Sequence, residues 1–152
     1  MSRPCWDKTR MLIVRIMAER SVCKHYQVGV VFYRGKKIII GGYNGPPVGE
    51  PHCIEVGCAK EVDGKKLPAG SNRCRGCHAE INAIINAAYD GISLKDCGVA
   101  CTFSPCYSCA KQLVNLGIKE FVYEISYDDE FEANVVKELF ERRGIILRQF
   151  IP

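Results

Sequence analysis

Two short motifs limit what this chain can fold into more than any other feature. Residues 78–80 read His-Ala-Glu, and residues 105–109 read Pro-Cys-Tyr-Ser-Cys after an intervening strand-like run. One neutral imidazole and two thiolates hold Zn²⁺ tetrahedrally and leave its fourth position open for water. Bound zinc lowers the pKa of that water to about 7, which makes hydroxide available at neutral pH. The motifs therefore predict a catalytic zinc site with His78, Cys106 and Cys109 as ligands.

Glu80 decides between an open and a closed metal site. A carboxylate two residues after the His suits a proton shuttle, and this combination of motifs is the signature of zinc-dependent deaminases. The alternative is a closed, purely structural zinc site in which Glu80 is a surface helix residue. A closed site gives no reason for a Glu at this spacing.

Length and composition set the class of protein. A chain of 152 residues is expected to form a single domain over residues 1–152. The net charge of +4 suits a phosphorylated substrate, but the basic residues form no concentrated stripe, so we expect no nucleic-acid partner. The sequence has no apolar run near the ~20 residues of a membrane span and no signal peptide, which predicts a cytoplasmic protein without a membrane partner. With no secretion signal, its 10 cysteines favour metal binding over disulfides.

Hydrophobic periodicity predicts a mixed α/β chain. Helices are expected at 6–20, 78–90, 106–116 and 131–143, and strands at 28–33, from 38 onward, at 97–103, 118–126 and 145–150. In the second helix, Ile81, Ile84, Ile85 and Ala88 fall on one face. The later β-α-β-α-β order favours parallel strands with right-handed crossovers. Residues 48–76 show no confident helix or strand, which is long for a loop without a function or a constraint.

The two zinc motifs then fall at the starts of two helices. Cysteines three residues apart in a helix lie on one face. A helix N-terminus also favours thiolate over thiol. Two helix N-termini are therefore expected to converge on one metal ion.

The chain resembles the deoxycytidylate (dCMP) deaminases of the cytidine deaminase superfamily along nearly its whole length. The matching segments include Arg3-Pro4, Arg20-Ser21 with Cys23, Val28-Gly29, Gly42-Tyr43-Asn44-Gly45-Pro46-Pro47, Pro51-His52-Cys53, Glu55-Val56-Gly57-Cys58, Cys74-Arg75-Gly76, the two zinc motifs with Ser104, Gly117-Ile118-Lys119 and Phe150-Ile151-Pro152. The resemblance implies a three-layer α/β/α fold around a five-stranded mixed sheet.

The same resemblance implies an activity and its regulation. The reaction is hydrolysis of dCMP to dUMP and ammonia, which supplies dUMP for dTMP synthesis. The family resemblance further implies a homohexamer that is activated by dCTP with Mg²⁺ and inhibited by dTTP. The loop around Gly45 and the pair Lys24-His25 are the candidate effector contacts.

Roles transfer to single residues of the site. Glu80 takes a proton from the zinc water and delivers it to N3 and to the leaving amine. The Ala79 amide is expected to contact the base carbonyl, and the Ser104 carbonyl to accept a hydrogen bond from the amine. Asn44 is the expected contact to the sugar 3′-hydroxyl, with a turn residue of the Asn-Gly type as the alternative.

A second metal site is implied within the irregular segment. Cys23, Cys53, Cys58 and Cys74 match positions that carry a structural zinc in many relatives. Four thiolates form a closed site, and a metal clip can order a long loop. The alternatives are buried free thiols or one disulfide between two of these cysteines.

Departures from the family pattern concern the phosphate. Tyr89 stands where many relatives carry Arg or Lys, and Lys24-His25 stands where many carry Arg. Lys24, His25 and Tyr127 are candidates for nucleotide contacts, with solvated or packing residues as the alternative. Because Tyr89 supplies no charge, dCTP is a candidate second substrate, giving a broader deoxycytidine nucleotide deaminase.

Other functions fit less well. A tRNA adenosine deaminase shares both zinc motifs but usually has Glu before the Pro, where this chain has Ser104. Nucleoside-specific cytidine deaminases typically have Cys at the position of His78. A zinc-binding module without catalytic activity has no use for Glu80.

Overall fold

The computed structural model describes residues 2–68 and 72–152 as alternating strands and helices. The elements are α1 (Trp6–Ala18), β1 (Gly29–Arg34), β2 (Lys37–Tyr43), α2 (Cys53–Val56), β3 (Glu61–Val62), β4 (Lys65–Lys66), α3 (Ala79–Tyr89), β5 (Gly98–Phe103), α4 (Tyr107–Leu116), β6 (Glu120–Ile125), α5 (Glu130–Arg142) and β7 (Ile146–Gln149). No helix within these described ranges combines the length and the apolar character that a membrane span requires.

The main sheet has five strands in the order β2-β1-β5-β6-β7. Strand β1 runs antiparallel to both β2 and β5, whereas β5, β6 and β7 are mutually parallel. The predicted five-stranded mixed sheet is therefore confirmed. The parallel part arises because α4 and α5 each connect two neighbouring strands by a crossover.

Helices cover both faces of the sheet and complete three layers. Alternate residues of β1 point to opposite faces. Val31 and Tyr33 pack with Met11 and Val14 of α1. On the other face, apolar side chains of β1, β5 and β6 pack with apolar side chains of helices α3, α4 and α5. This cluster includes Val30, Phe32, Ala83, Ala87, Val99, Leu113, Phe121, Val136 and Phe140.

The predicted apolar face of α3 is correct for Ile84, which packs against the core, and wrong for Ile85 and Ala88, which are exposed. Its buried residues are Ala79, Glu80, Ala83 and Ala87, whereas Ile85 is 54% exposed. The reason lies in Gly42 of β2, where an added Cβ would lie 2.7 Å from the Ala79 carbonyl oxygen and 2.7 Å from the Ala83 nitrogen. Only small side chains fit between a helix and a strand at this separation, so alanines occupy the contact, whereas Ile84 is only partly buried and Ile85 is exposed.

The segment from 48 to 76 contains more regular structure than the sequence predicts. It forms the single turn α2 and a two-stranded hairpin, β3–β4, outside the main sheet. The hairpin turns at Asp63 and Gly64, which both have positive φ angles (51° and 73°). An Asp-Gly pair is a usual sequence for such a two-residue turn. The hairpin was not predicted because strands of two residues are too short to show an alternating pattern.

Candidate metal centre

Three metal-ligating side chains come together at the start of α3 and α4. The Nδ1 atom of His78 lies 3.4 Å from the Sγ of Cys106 and 3.4 Å from the Sγ of Cys109. All three donor atoms lie within 4.8 Å of one another. One imidazole and two thiols at these separations form three corners of a tetrahedral zinc site with the fourth corner free of these ligands.

Backbone geometry explains why the three donors meet. His78 is the N-cap of α3 and Cys106 is the N-cap of α4, so both helices begin at the site. The Cys109 amide donates a hydrogen bond to the Cys106 Sγ over 3.4 Å. The positive ends of two helix dipoles thus face the sulfurs and favour their anionic form.

The sulfurs of Cys106 and Cys109 shift each other's pKa in opposite directions. A hydrogen bond from the Cys109 thiol holds the pKa of Cys106 well below its usual range, and contact with His78 acts in the same direction. The same hydrogen bond, together with burial, raises the pKa of Cys109. The pair therefore shares negative charge at the position where a metal cation is to be bound.

Glu80 is a carboxyl group buried beside the triad. Glu80 lies in the first turn of α3 and is only 4% exposed. Burial raises the pKa of Glu80, and hydrogen bonds from its own amide and from the Cys109 side chain partly oppose that shift. A carboxyl group whose pKa is moved toward neutrality is suited to accept and release protons near neutral pH.

Asn44 has both ends of its side-chain amide engaged by backbone. Its Oδ1 accepts a hydrogen bond from the Val28 amide over 2.9 Å, and its Nδ2 donates to the Tyr26 carbonyl over 2.9 Å. Asn44 thus ties the loop before β1 to the end of β2. The neighbouring Gly45 pairs with Cys77, the residue before His78, through two backbone hydrogen bonds of 3.2 and 2.8 Å.

An aromatic wall extends outward from the zinc motif. We use this name for Phe103, Tyr127 and Tyr26. Phe103 and Tyr127 stack with centroids 5.0 Å apart, and Tyr26 meets Tyr127 edge-on at 5.5 Å. The Tyr127 amide donates to the Ser104 Oγ over 3.0 Å, which fixes Tyr127 beside the Pro-Cys motif. Burial, and then the negative charge of Glu80, raise the pKa of Tyr127.

The remaining nucleotide candidates lie in the loop before β1. Lys24 is exposed, whereas His25 contacts the hairpin, with its Nε2 2.8 Å from a Glu61 carboxylate oxygen. His25, Cys58 and Glu61 form a second group of potential metal ligands whose donor atoms lie within 4.8 Å of one another.

The four cysteines of the expected second zinc site do not form such a group. Within residues 2–68 and 72–152, no three of Cys23, Cys53, Cys58 and Cys74 bring their sulfurs within 4.8 Å of one another. Cys53 is buried, Cys74 is exposed, and the other two are intermediate. The Cys23 Sγ nevertheless accepts hydrogen bonds from the amides of His25 (3.5 Å) and Tyr26 (3.4 Å). This arrangement resembles the amide contact of Cys106.

Glu132 is a residue of the site that sequence reasoning missed. From α5, its Oε1 accepts a hydrogen bond from the Tyr107 amide over 2.8 Å, at the first residue of α4. Its negative charge also contributes to raising the pKa of His78, after the larger effect of Cys106. The sequence places Glu132 three residues after Asp129, a spacing typical of a helix N-terminus. Asp129 does cap α5, because its side chain accepts a hydrogen bond from the Glu132 amide over 2.9 Å. The contact to α4, however, joins distant elements.

A cavity of about 140 Å³ lies between β6 and α5 and is lined in part by Ser104 and Tyr127. Its lining includes Glu132 but none of the three candidate ligands. Since the metal-binding atoms lie elsewhere, we do not assign the reaction to this cavity.

Comparison with known proteins identifies the motifs. The sequence model described as "Cytidine and deoxycytidylate deaminase zinc-binding region" matches residues 4–125. The chain is 36% identical over 151 residues to a deoxycytidylate deaminase of Schizosaccharomyces pombe, covering 99% of this chain and 45% of that protein. It is 32% identical over 153 residues to the deoxycytidylate deaminase of Homo sapiens, covering 97% of this chain and 80% of that protein. The chain therefore spans less than half of the length of the Schizosaccharomyces pombe protein but most of the human one.

A solved structure shares the fold. The dCMP deaminase of cyanophage S-TIM5, solved in complex with dCMP and dUMP, aligns with a TM-score of 0.77 at 25% identity. The alignment covers 99% of this chain and 100% of that protein. The layers and sheet described above are thus those of the cytidine deaminase-like fold.

Replacing Glu132 tests whether α5 supports the metal centre. We expect Glu132→Ala to weaken zinc binding by about tenfold, because the Tyr107 amide loses its acceptor and the start of α4 loosens. Glu132→Gln keeps an acceptor oxygen and is expected to retain most of the affinity. Glu138→Ala, at an exposed position of the same helix, is the control. Zinc affinities come from competition with a chelator, and equal affinities for the Glu132→Ala and Glu138→Ala proteins contradict the assignment.

Proposed function

The chain belongs to the cytidine and deoxycytidylate deaminase family, and from this premise we propose that it hydrolyses dCMP to dUMP and ammonia. One observation supports this most directly: His78 Nδ1 lies 3.4 Å from both cysteine sulfurs, with the buried carboxyl of Glu80 beside them. In the reaction, a bond forms between C4 of the base and the water oxygen, and the bond from C4 to the exocyclic nitrogen breaks.

His78, Cys106 and Cys109 are the proposed zinc ligands. Zinc held by these residues supplies an activated water at neutral pH. The chemistry of the donor set fits this metal, since one nitrogen and two sulfur donors are typical of catalytic zinc with one open position. The family match itself covers a zinc-binding region that includes all three residues.

Glu80 is the proposed proton carrier. It accepts one proton from the attacking water and donates it to N3 of the base. It then accepts the second proton from the hydroxyl formed at C4 and donates it to the leaving amine, so that ammonia departs and the C4 carbonyl forms. Its burial supports this role, because the raised pKa of Glu80 brings proton uptake and release closer to neutral pH. Such proton transfer typically accelerates a reaction by about 10²–10⁴-fold.

Three residues are proposed to orient the base. Ala79 occupies the first position of α3, where a helix leaves the amide without an intrahelical acceptor. That amide can donate to the base carbonyl. The Ser104 carbonyl accepts from the exocyclic amine, and Tyr127 provides an aromatic face beside the ring.

Asn44 is proposed to contact the sugar. Each end of its amide makes one hydrogen bond to backbone, and an amide has capacity for one more at each end. The two backbone contacts hold Asn44 in a fixed orientation, so it can meet the sugar 3′-hydroxyl without further ordering.

The direct test of the proposed function measures ammonia release from dCMP, cytidine and a tRNA anticodon stem-loop. Turnover of dCMP in preference to the other two supports the proposal. Turnover of the stem-loop alone contradicts it. We further propose the cytoplasm as the place of action, because the proposed thiolate ligands require reduced cysteines and a reducing compartment keeps them so.

Glu80→Ala is expected to lower dCMP turnover by at least about 10³-fold while one zinc remains in the catalytic site, because the residue moves protons and is not a ligand. The control is Cys109→Ser, which should lose both activity and that zinc. Metal content by atomic emission and ammonia release are measured on the same samples. Loss of zinc from the Glu80→Ala protein contradicts the proposed role.

A second, structural zinc is proposed near Cys58. Cys58 belongs both to the four-cysteine set with Cys23, Cys53 and Cys74 and to the group with His25 and Glu61. The amide contacts to the Cys23 sulfur support the four-cysteine set, because they are suited to a thiolate. We therefore propose that the four thiolates close around a metal in the folded protein.

Three variants separate the two ligand sets. If the four cysteines bind the metal, Cys58→Ser and Cys74→Ser each lower the zinc content by one per chain and lower the melting temperature, and His25→Ala does not. If His25 and Glu61 are the partners, His25→Ala loses the metal and Cys74→Ser keeps it. Unchanged zinc content in the Cys58→Ser protein contradicts a second site altogether.

The proposal extends to assembly and regulation. We propose a homohexamer activated by dCTP with Mg²⁺ and inhibited by dTTP, with Lys24, His25 and Gly45 as effector contacts. The outer face of α3 supports association, because Ile85 is 54% and Tyr89 is 91% exposed.

Kinetics and solution mass test the regulation together. We expect sigmoidal dCMP saturation that becomes hyperbolic when dCTP and Mg²⁺ are added, because each effector must favour one state over the other. The solution mass should correspond to six chains. Hyperbolic kinetics that neither triphosphate changes contradict it.

A further inference from the structure

The hairpin β3–β4 holds the loop before β1 at two adjacent residues. Glu61 and Lys66 are directly paired across the two strands. The Glu61 carboxylate lies 2.8 Å from the His25 Nε2, and the Lys66 Nζ lies 4.9 Å from the centroid of the Tyr26 ring. One cross-strand pair of the hairpin thus contacts two consecutive residues of the loop.

Tyr26 connects this hairpin to the metal centre. Its ring meets Tyr127 at 5.5 Å and Phe103 at 5.8 Å, both edge-on. Phe103 directly precedes Ser104, and the Tyr127 amide donates to the Ser104 Oγ. The Tyr26 carbonyl also accepts from the Asn44 side chain over 2.9 Å. Tyr26 is therefore the outer end of the aromatic wall, and it is 42% exposed.

The charge of Lys66 is available to a ligand. Among the residues that the structure describes, the ion pairs do not include Lys66. A cation over an aromatic face is held in place without being neutralised. Helix α3 contains no Lys or Arg and offers no positive charge of its own.

We propose that Lys66 is a specificity-determining residue that binds the 5′-phosphate of the nucleotide, with Tyr26 holding its ammonium group at the mouth of the site. This inference rests on the proposed function. Within a nucleotide, the phosphate lies one sugar beyond the base. Lys66 is placed in a corresponding way: its ammonium group contacts the Tyr26 ring, and that ring contacts Tyr127, the residue proposed to flank the base. The hairpin therefore supplies the positive charge that α3 lacks.

The test compares three variants with the wild-type protein. Lys66→Met keeps the aliphatic stem and removes the charge, whereas Lys66→Arg keeps the charge. Lys65→Met is the matched control, because Lys65 is the neighbouring exposed lysine of the same strand and its loss changes the net charge equally. For each protein, the KM and kcat for dCMP are measured without effectors. Deoxycytidine, which lacks the phosphate, is measured as an inhibitor of dCMP turnover.

Lys66→Met is expected to raise the KM for dCMP about tenfold or more, as loss of one charge-assisted contact to phosphate requires. Its kcat and its Ki for deoxycytidine should stay at the wild-type values, and Lys66→Arg and Lys65→Met should stay within about twofold of wild type for dCMP. Equal KM values for the Lys66→Met and Lys65→Met proteins overturn the inference. A Ki for deoxycytidine that rises as much as the KM for dCMP also overturns it, because the role is then structural.

Failure of this inference is distinct from failure of the proposed function. If the wild-type protein releases ammonia from dCMP and Lys66→Met does so with an unchanged KM, only the role of Lys66 is wrong. If the wild-type protein does not act on dCMP, the proposed function is wrong and the inference falls with it.

Discussion

The close contact between α3 and β2 is the constraint on which the site depends. Gly42 has no side chain, and any Cβ there would lie 2.7 Å from backbone atoms of both Ala79 and Ala83. The Asn82 side chain donates to the Tyr43 carbonyl over 2.8 Å and strengthens the same contact. Together these interactions fix the start of α3 against the sheet. His78 and Glu80 are consequently held by packed backbone, and their positions do not depend on a flexible loop.

The second half of the site comes from the parallel part of the sheet. Strand β5 ends at Phe103 and leads directly through Pro105 to the start of α4, where Cys106 and Cys109 lie. The contact from Glu132 on α5 stabilises this start. Two helices from different parts of the chain thus direct their positive ends at one group of sulfurs. This convergence explains how a short chain can concentrate negative charge and a buried carboxyl group in one place.

Local patterns predicted the features that depend on local sequence. The β-α-β-α-β order after residue 97 and the meeting of His78 with Cys106 and Cys109 both follow from periodicity and motif spacing. The buried face of α3 was mispredicted because large apolar residues dominate a periodicity argument, whereas Gly42 selects small ones. The contacts of Glu132 with Tyr107 and of Lys66 with Tyr26 were not predicted, because they join residues that only the tertiary fold brings together. The cysteines of the irregular segment remain a prediction.

The most direct test of the account is a crystal structure of the protein with zinc and a hydrated pyrimidine nucleotide that mimics the tetrahedral adduct at C4. We expect an anomalous zinc signal between the His78 Nδ1 and the sulfurs of Cys106 and Cys109. We also expect the Glu80 carboxylate to lie within hydrogen-bond distance of N3 of the mimic. A zinc ion closed off by a fourth protein ligand, or a nucleotide bound away from Glu80, would contradict the account.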